Sequence, residues 1–94
     1  MIKHIVAFKL KAGENPDKAK EVLLSMKGKV PTVKDIEVGV DLLHSARSYD
    51  VVLAVLLDSL VALQEYQNDA YHCEVVKKYM HAVCASSVAI DYEV

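Results

Sequence analysis

The chain has 94 residues, enough for one domain, with 13 acidic and 11 basic residues and a formal net charge of −2. No basic cluster occurs along it, which argues against binding to nucleic acid or to an anionic membrane surface. Apolar residues make up 53% of the chain, more than a lone domain of this size usually buries, so we expect a surface that a partner covers.

The apolar runs and the cysteines indicate where the protein resides. The longest apolar run, from Val51 to Leu57, is too short to span a bilayer, and the first residues contain no cleavage site of a secretory signal. Cys73 and Cys84 are predicted on one helix, about 16 Å apart, which is too far for a disulfide within one chain. We therefore expect a soluble, cytoplasmic protein, with no bound metal and no cofactor.

The first elements are predicted to be a strand and a helix. Ile2 to Leu10 alternates as a strand does, and His4 lies among the residues that point to one face. Asn15-Pro16-Asp17 then predicts a helix start, with a capping side chain, a proline at the first helical position and an acid in the first turn. The apolar positions that follow share one helical stripe, namely Ala19, Val22, Leu23, Met26 and Val30.

Two further strands are predicted at 33–43 and 49–57, joined by a polar hairpin loop at 44–48. The strand at 33–43 has one wetter side, because acidic residues and a glycine alternate with apolar ones. The strand at 49–57 is apolar on both faces, which is typical of a strand that is covered on both sides.

The stretch from Leu60 to Ala85 predicts two helices, and a fourth strand follows at 88–94. Asn68-Asp69 interrupts the helical pattern, and Asp69 is expected to cap the second helix. The spacing places Tyr66 and His72 on the same inward side, whereas Lys77 and His81 are expected to face water.

The element order β-α-β-β-α-α-β predicts an α+β fold of the ferredoxin-like type, formed by one domain over residues 1–94. Its four-stranded antiparallel sheet would have helices on one face only. Because the strand at 49–57 requires cover on both faces, we expect a second copy of the chain against the open face. The expected assembly is a homodimer through the sheet face, a dimeric α/β barrel.

Three segments resemble a known family. MIKHIVAFKLK, SYDVVLAVLLDSLVALQEYQNDAYHCEVVKKY and the terminal AIDYEV are similar to the stress-responsive dimeric α/β-barrel family over essentially the whole chain. The resemblance implies a ferredoxin-like protomer that pairs into a dimeric barrel. Many members of the family have no assigned activity, and one plant branch cyclises linear polyketides by an aldol reaction without a cofactor.

The resemblance also implies a candidate site. The plant branch uses a histidine in the first strand, a tyrosine on a helix and a histidine six residues later, and these positions match His4, Tyr66 and His72. The family often has His-Pro between the tyrosine and the last histidine, where this chain has Asp69-Ala70. The break between the helices is therefore expected to be less rigid, with an acid as its polar residue.

These residue types permit acid–base chemistry. The positive end of a helix favours a neutral His72, which can act as a general base, and the Tyr66 hydroxyl could stabilise an enolate. His4 would be a third polar group, and the three would suffice for proton abstraction next to a carbonyl. Each also has an ordinary alternative, as a hydrogen-bonded residue of the core.

The preferred function is binding of a small organic ligand in a pocket between the helices and the sheet, without an assigned activity. The alternative is a cofactor-independent lyase or cyclase, or an isomerase, that uses His72 as base and Tyr66 as oxyanion donor. Haem or metal binding is a weaker reading, because haem degraders of related barrels rely on a tryptophan that is missing here. RNA binding is rejected, because the strand at 49–57 has neither a lysine nor an arginine, and a single aromatic residue at its start.

Overall fold

The computed structural model describes all 94 residues and confirms the predicted ferredoxin-like fold. No helix is both long and apolar enough to cross a bilayer. The elements in chain order are β1 (Ile2–Leu10), α1 (Pro16–Leu24), β2 (Asp35–Val40), β3 (Val51–Leu57), α2 (Leu60–Asn68), a π-helical segment (His72–Lys77), α3 (Lys78–Val83) and β4 (Cys84–Glu93).

The four strands form one antiparallel sheet in the order β2-β3-β1-β4. β1 is therefore central, and β4 is an edge strand beside it. His4 pairs with Val55 on one side and with Asp91 on the other. Because paired residues point to the same face of a sheet, His4 and Asp91 both lie on the face that the helices cover.

The start of α1 follows the prediction closely. The Asn15 side chain accepts hydrogen bonds from the backbone N–H groups of Asp17 and Lys18, and Pro16 occupies the first helical position. The α-helix ends at Leu24, and turns with i→i+3 hydrogen bonds continue the chain. The predicted stripe is nevertheless buried at Ala19, Leu23, Met26 and Val30.

The strand boundaries differ from the predictions at several ends. β2 and β3 are shorter than the predicted 33–43 and 49–57, and residues 41–50 form the loop between them. β4 is longer, and Cys84 is its first residue. The prediction that Cys84 lies on a helix is therefore wrong. β4 has one extra residue between the partners of Lys9 and Leu10, and the register of its pairing with β1 shifts there.

The region after β3 is a helix, a break and a second helical stretch. Ser59 caps α2 by accepting from the Ala62 N–H, and the Asp69 carboxylate accepts from the His72 N–H, as expected. From His72 to Lys77 the backbone adopts a π-helix rather than an α-helix. A π-helical turn contains one extra residue, so the faces of this stretch differ from those of a regular α-helix.

The core lies between the helices and one face of the sheet. Val51, Leu53, Val55 and Leu57 of β3 are buried there, together with Tyr66. The opposite face, which we call the open face, has apolar side chains that no helix covers. Its apolar residues are Ile5, Ala7, Val52, Ala54, Leu56, Val88, Ile90 and Tyr92.

Candidate functional site

A cavity of about 150 Å³ lies between the helices and the covered face of the sheet. Its lining is mainly apolar, with Val6 and Leu53 from the sheet and Val76 from the π-helical segment. Polar groups are also part of the lining. They are His4, Tyr66, His72, Lys77, His81 and Ser87.

The three residues singled out in the sequence lie together in this cavity. The rings of Tyr66 and His72 are stacked, with centroids 4.4 Å apart and planes inclined at 28°. The ring of His4 meets Tyr66 edge-on at a centroid distance of 5.7 Å. Tyr66 therefore lies between the two histidines and fixes their relative positions.

Tyr66 is fully buried, and its hydroxyl has only a weak partner. The hydroxyl donates to the sulfur of Met26 over 3.7 Å, and sulfur is a poor acceptor. Burial raises the pKa of the Tyr66 hydroxyl well above its ordinary value. The hydroxyl is therefore protonated at neutral pH and is a donor that the fold uses only weakly.

His72 is set up differently, because its imidazole ring bonds no protein group. Its backbone N–H donates to Asp69, whereas its buried Nδ1 has no partner. Desolvation and the positive charge of Lys77 lower its pKa, whereas the nearby backbone carbonyl of Gln67 acts in the opposite direction. The ring is therefore neutral at pH 7, with hydrogen-bonding capacity that the fold leaves unused.

His4 is held by the edge strand. Its Nδ1 and the Asp91 carboxylate form a close hydrogen-bonded pair across β1 and β4. The His4 side chain is buried and Asp91 is partly exposed. Asp91 thus fixes the orientation of the His4 ring, and through it the edge of the Tyr66 ring.

The sequence did not predict that Lys77 and His81 line the cavity; both are exposed, as expected, and lie at its mouth. The reason is the π-helical turn: the extra residue brings Lys77, five positions after His72, onto the cavity side. A 3.6-residue periodicity does not indicate this shift. Asp91 was missed as well, because its role follows from β4 lying beside β1.

The arrangement combines an apolar cavity with a neutral imidazole and a protonated phenol. Such a set can bind a small organic molecule, and it can also accept a proton from a carbon next to a carbonyl. No group of three or more His, Cys, Asp or Glu side chains is arranged to hold a metal ion.

Solved structures with the same fold are similar to the chain over nearly its whole length. A dimeric ferredoxin-like protein of unknown function from Thermobifida fusca is 25% identical, with a TM-score of 0.80 over 99% of this chain and 90% of that one. A protein from Arabidopsis thaliana is 20% identical, with a TM-score of 0.83 over 100% and 95% of the two chains. Hydroxynitrile lyase from Passiflora edulis is 19% identical, with a TM-score of 0.76 over 99% and 92%.

The identities with the Arabidopsis thaliana and Passiflora edulis proteins, 20% and 19%, establish a shared fold. Comparison with curated proteins gives no significant match. A family model described as the stress responsive A/B barrel domain matches residues 2–94, which is almost the entire chain. The chain therefore belongs to the stress-responsive A/B barrel domain family.

Proposed function

We propose that this protein is a homodimer whose protomers each bind a small organic ligand in the cavity between the helices and the sheet. The observation that carries the proposal is the His72 ring, which lines a mainly apolar cavity and bonds no protein group. A buried polar atom without a partner costs about 1–3 kcal/mol. Nδ1 has almost no accessible surface, so a ligand bonds it only after the ring turns towards the cavity, and that bond would then offset part of the cost.

The cavity volume limits the size of the ligand. At about 150 Å³ it is comparable with an engineered protein cavity that accepts benzene. A ligand with an apolar body of one ring, or of a short branched chain, therefore fits. Ser87 and the exposed His81 are among the lining residues, which leaves a polar mouth through which it can enter.

Pairing through the open face supports the dimer in this proposal. Ile90 is 66% exposed, Val88 is 53% exposed and Tyr92 is 43% exposed on one side of β4. Such a contiguous apolar patch is typical of an interface, and the similar protein from Thermobifida fusca is described as dimeric. A cytoplasmic location is also part of the proposal, because free Cys73 and Cys84 thiols suit a reducing compartment.

Methyl NMR tests ligand binding directly, with cyclohexanone as a neutral, one-ring carbonyl probe. We expect saturable shifts of the methyl signals of Val6, Leu53 and Val76, which line the cavity. The methyl signals of Val52 and Ile90 on the open face are the internal control and should stay in place. Shifts confined to the open face, or none at all, would overturn the proposal.

A second candidate function, favoured by the neutral state of His72, is cofactor-independent lyase or cyclase activity. His72 would accept the proton from a carbon next to a carbonyl, and the resulting enolate carbon would form a bond to a second carbonyl carbon. The alkoxide oxygen would then take the proton back from His72, so that no co-reactant is consumed. The hydroxynitrile lyase from Passiflora edulis has a similar fold and is a lyase, which supports this class of reaction.

Tyr66 is the proposed oxyanion donor in this second candidate. Its hydroxyl has no exposed surface, so it must exchange its weak contact with Met26 for the ligand oxygen. Turnover of a linear polyketide-like substrate by the wild type and by His72→Gln tests the mechanism. Equal turnover by the two proteins would eliminate His72 as the base.

A further inference from the structure

The charge of the cavity lining is opposite to that of the protein as a whole. The chain has a net charge of −2, yet the 13 lining residues include Lys77 and three histidines and neither an aspartate nor a glutamate. The histidines are His4, His72 and His81. A cavity with donors and a cation, but without acids, disfavours a cationic ligand and suits an anionic one.

Acidic groups close to the cavity are already engaged elsewhere. Asp91 is bonded to His4, and the Asp69 carboxylate accepts the backbone N–H of His72. Neither carboxylate forms an ion pair with Lys77.

Lys77 is the only lysine or arginine that lines the cavity. Lys9 and Lys34 form ion pairs with Asp50 and Asp58, whereas Lys77 forms no ion pair. The π-helical turn brings it to the cavity side, and its charge is close enough to act on the His72 ring. Its ammonium group is thus free to bind an anion at the edge of an apolar space.

We propose that the ligand is a small organic monocarboxylate, with its apolar body in the cavity and its carboxylate bound by Lys77 and His81 at the mouth. This proposal rests on the proposed function, because it identifies the class of ligand that the same cavity binds. The carboxylate accepts from the Lys77 ammonium and from an imidazole N–H of His81, which is available in either charge state of the ring. Lys77 is then the residue that determines specificity for the acid over its neutral analogue.

Calorimetric titration with benzoate and with benzamide tests this specificity, since the two probes have nearly the same shape and differ in charge. At neutral pH and low ionic strength, where screening is weak, the wild type should bind benzoate about three- to tenfold more tightly than benzamide. Lys77→Met keeps the aliphatic stem and should bring that ratio close to one. Lys78→Met is the matched control, because the neighbouring lysine is exposed and does not line the cavity, and it should keep the wild-type ratio.

The outcomes separate this inference from the function on which it rests. Equal binding of both probes by the wild type, or an unchanged ratio in Lys77→Met, would overturn the inference and leave the ligand-binding cavity intact. Binding of neither probe would overturn both proposals. A loss of the preference in Lys78→Met as well would show a general charge effect and would also contradict the role assigned to Lys77.

Discussion

The imidazole ring of His72 is stacked on the phenol ring of Tyr66, with 4.4 Å between the ring centroids. Tyr66 is on α2 and His72 begins the π-helical segment, so this contact joins the two helical parts across the Asp69 break. It also gives His72 an apolar face on one side, while the ring remains without a hydrogen bond to the protein. The stack is therefore both a packing contact and the means by which the site holds a neutral imidazole.

The stack predicts that the ring of Tyr66 matters far more for stability than its hydroxyl. Tyr66→Phe keeps the ring and loses only the weak contact with Met26, so it should change the free energy of unfolding by less than about 1 kcal/mol. Tyr66→Ala should cost about 3–5 kcal/mol, as expected for removing a buried aromatic ring. Urea denaturation measures both, and a larger loss in Tyr66→Phe than in Tyr66→Ala would contradict the assignment.

Protonation of His72 should destabilise the fold. Its pKa is lowered in the folded state, mainly by desolvation and by Lys77, so the unfolded chain binds the proton more readily. The stability that a neutral His72 contributes is complete above the pKa of the unfolded chain, about 6.5. It is lost as the pH falls from there towards the lower pKa of the folded state.

Urea denaturation at about pH 7.5 and about pH 5.5 brackets that unfolded value. His72→Gln should lose less stability over this interval than the wild type does. His81→Gln, which removes an exposed histidine of the neighbouring α3, is the control and should retain the wild-type difference. An identical pH dependence in His72→Gln and wild type would contradict a depressed pKa for His72.

The pair of His4 and Asp91 should stabilise the edge strand. Asp91→Asn removes the carboxylate that bonds His4, and the partly exposed position limits the expected loss to about 1 kcal/mol. Glu93→Gln, two residues along the same face of β4, removes a carboxylate that forms no ion pair and should be close to neutral. Hydrogen exchange of the β4 amides should be faster in Asp91→Asn alone, and equal exchange in both variants would refute a specific role of the pair.

The open face should hold two protomers together. A glutamate in place of Ile90 puts a charge on the edge strand of this apolar surface, next to Ile5, and burying an unpaired charge is costly. Ile90→Glu should therefore be monomeric in analytical ultracentrifugation where the wild type is dimeric. Leu42→Glu changes an apolar residue that is 92% exposed in the loop after β2, and it should remain dimeric.

The particular residues explain what the sequence predicts and what it does not. Asn15-Pro16 and the alternation in β1 act locally, so the start of α1 and the grouping of His4 with the other residues of one strand face follow from them. Tyr66 and His72 meet because a capped break between two helices is also a local feature. The position of Lys77 at the cavity depends on a π-helical turn, and the contact of Asp91 with His4 depends on the pairing of β4 with β1. No local sequence pattern predicts either of them.

We propose above all that the cavity binds a small organic ligand beside a neutral His72. Long-range proton–nitrogen NMR of the histidine rings at neutral pH, recorded while a one-ring carbonyl compound is added, tests it most directly. We expect nitrogen shifts of a neutral imidazole for His72 in the free protein, and these shifts should move in a saturable way as the ligand binds. A charged His72 ring, or a neutral ring whose signals do not respond while the ligand binds elsewhere, would contradict it.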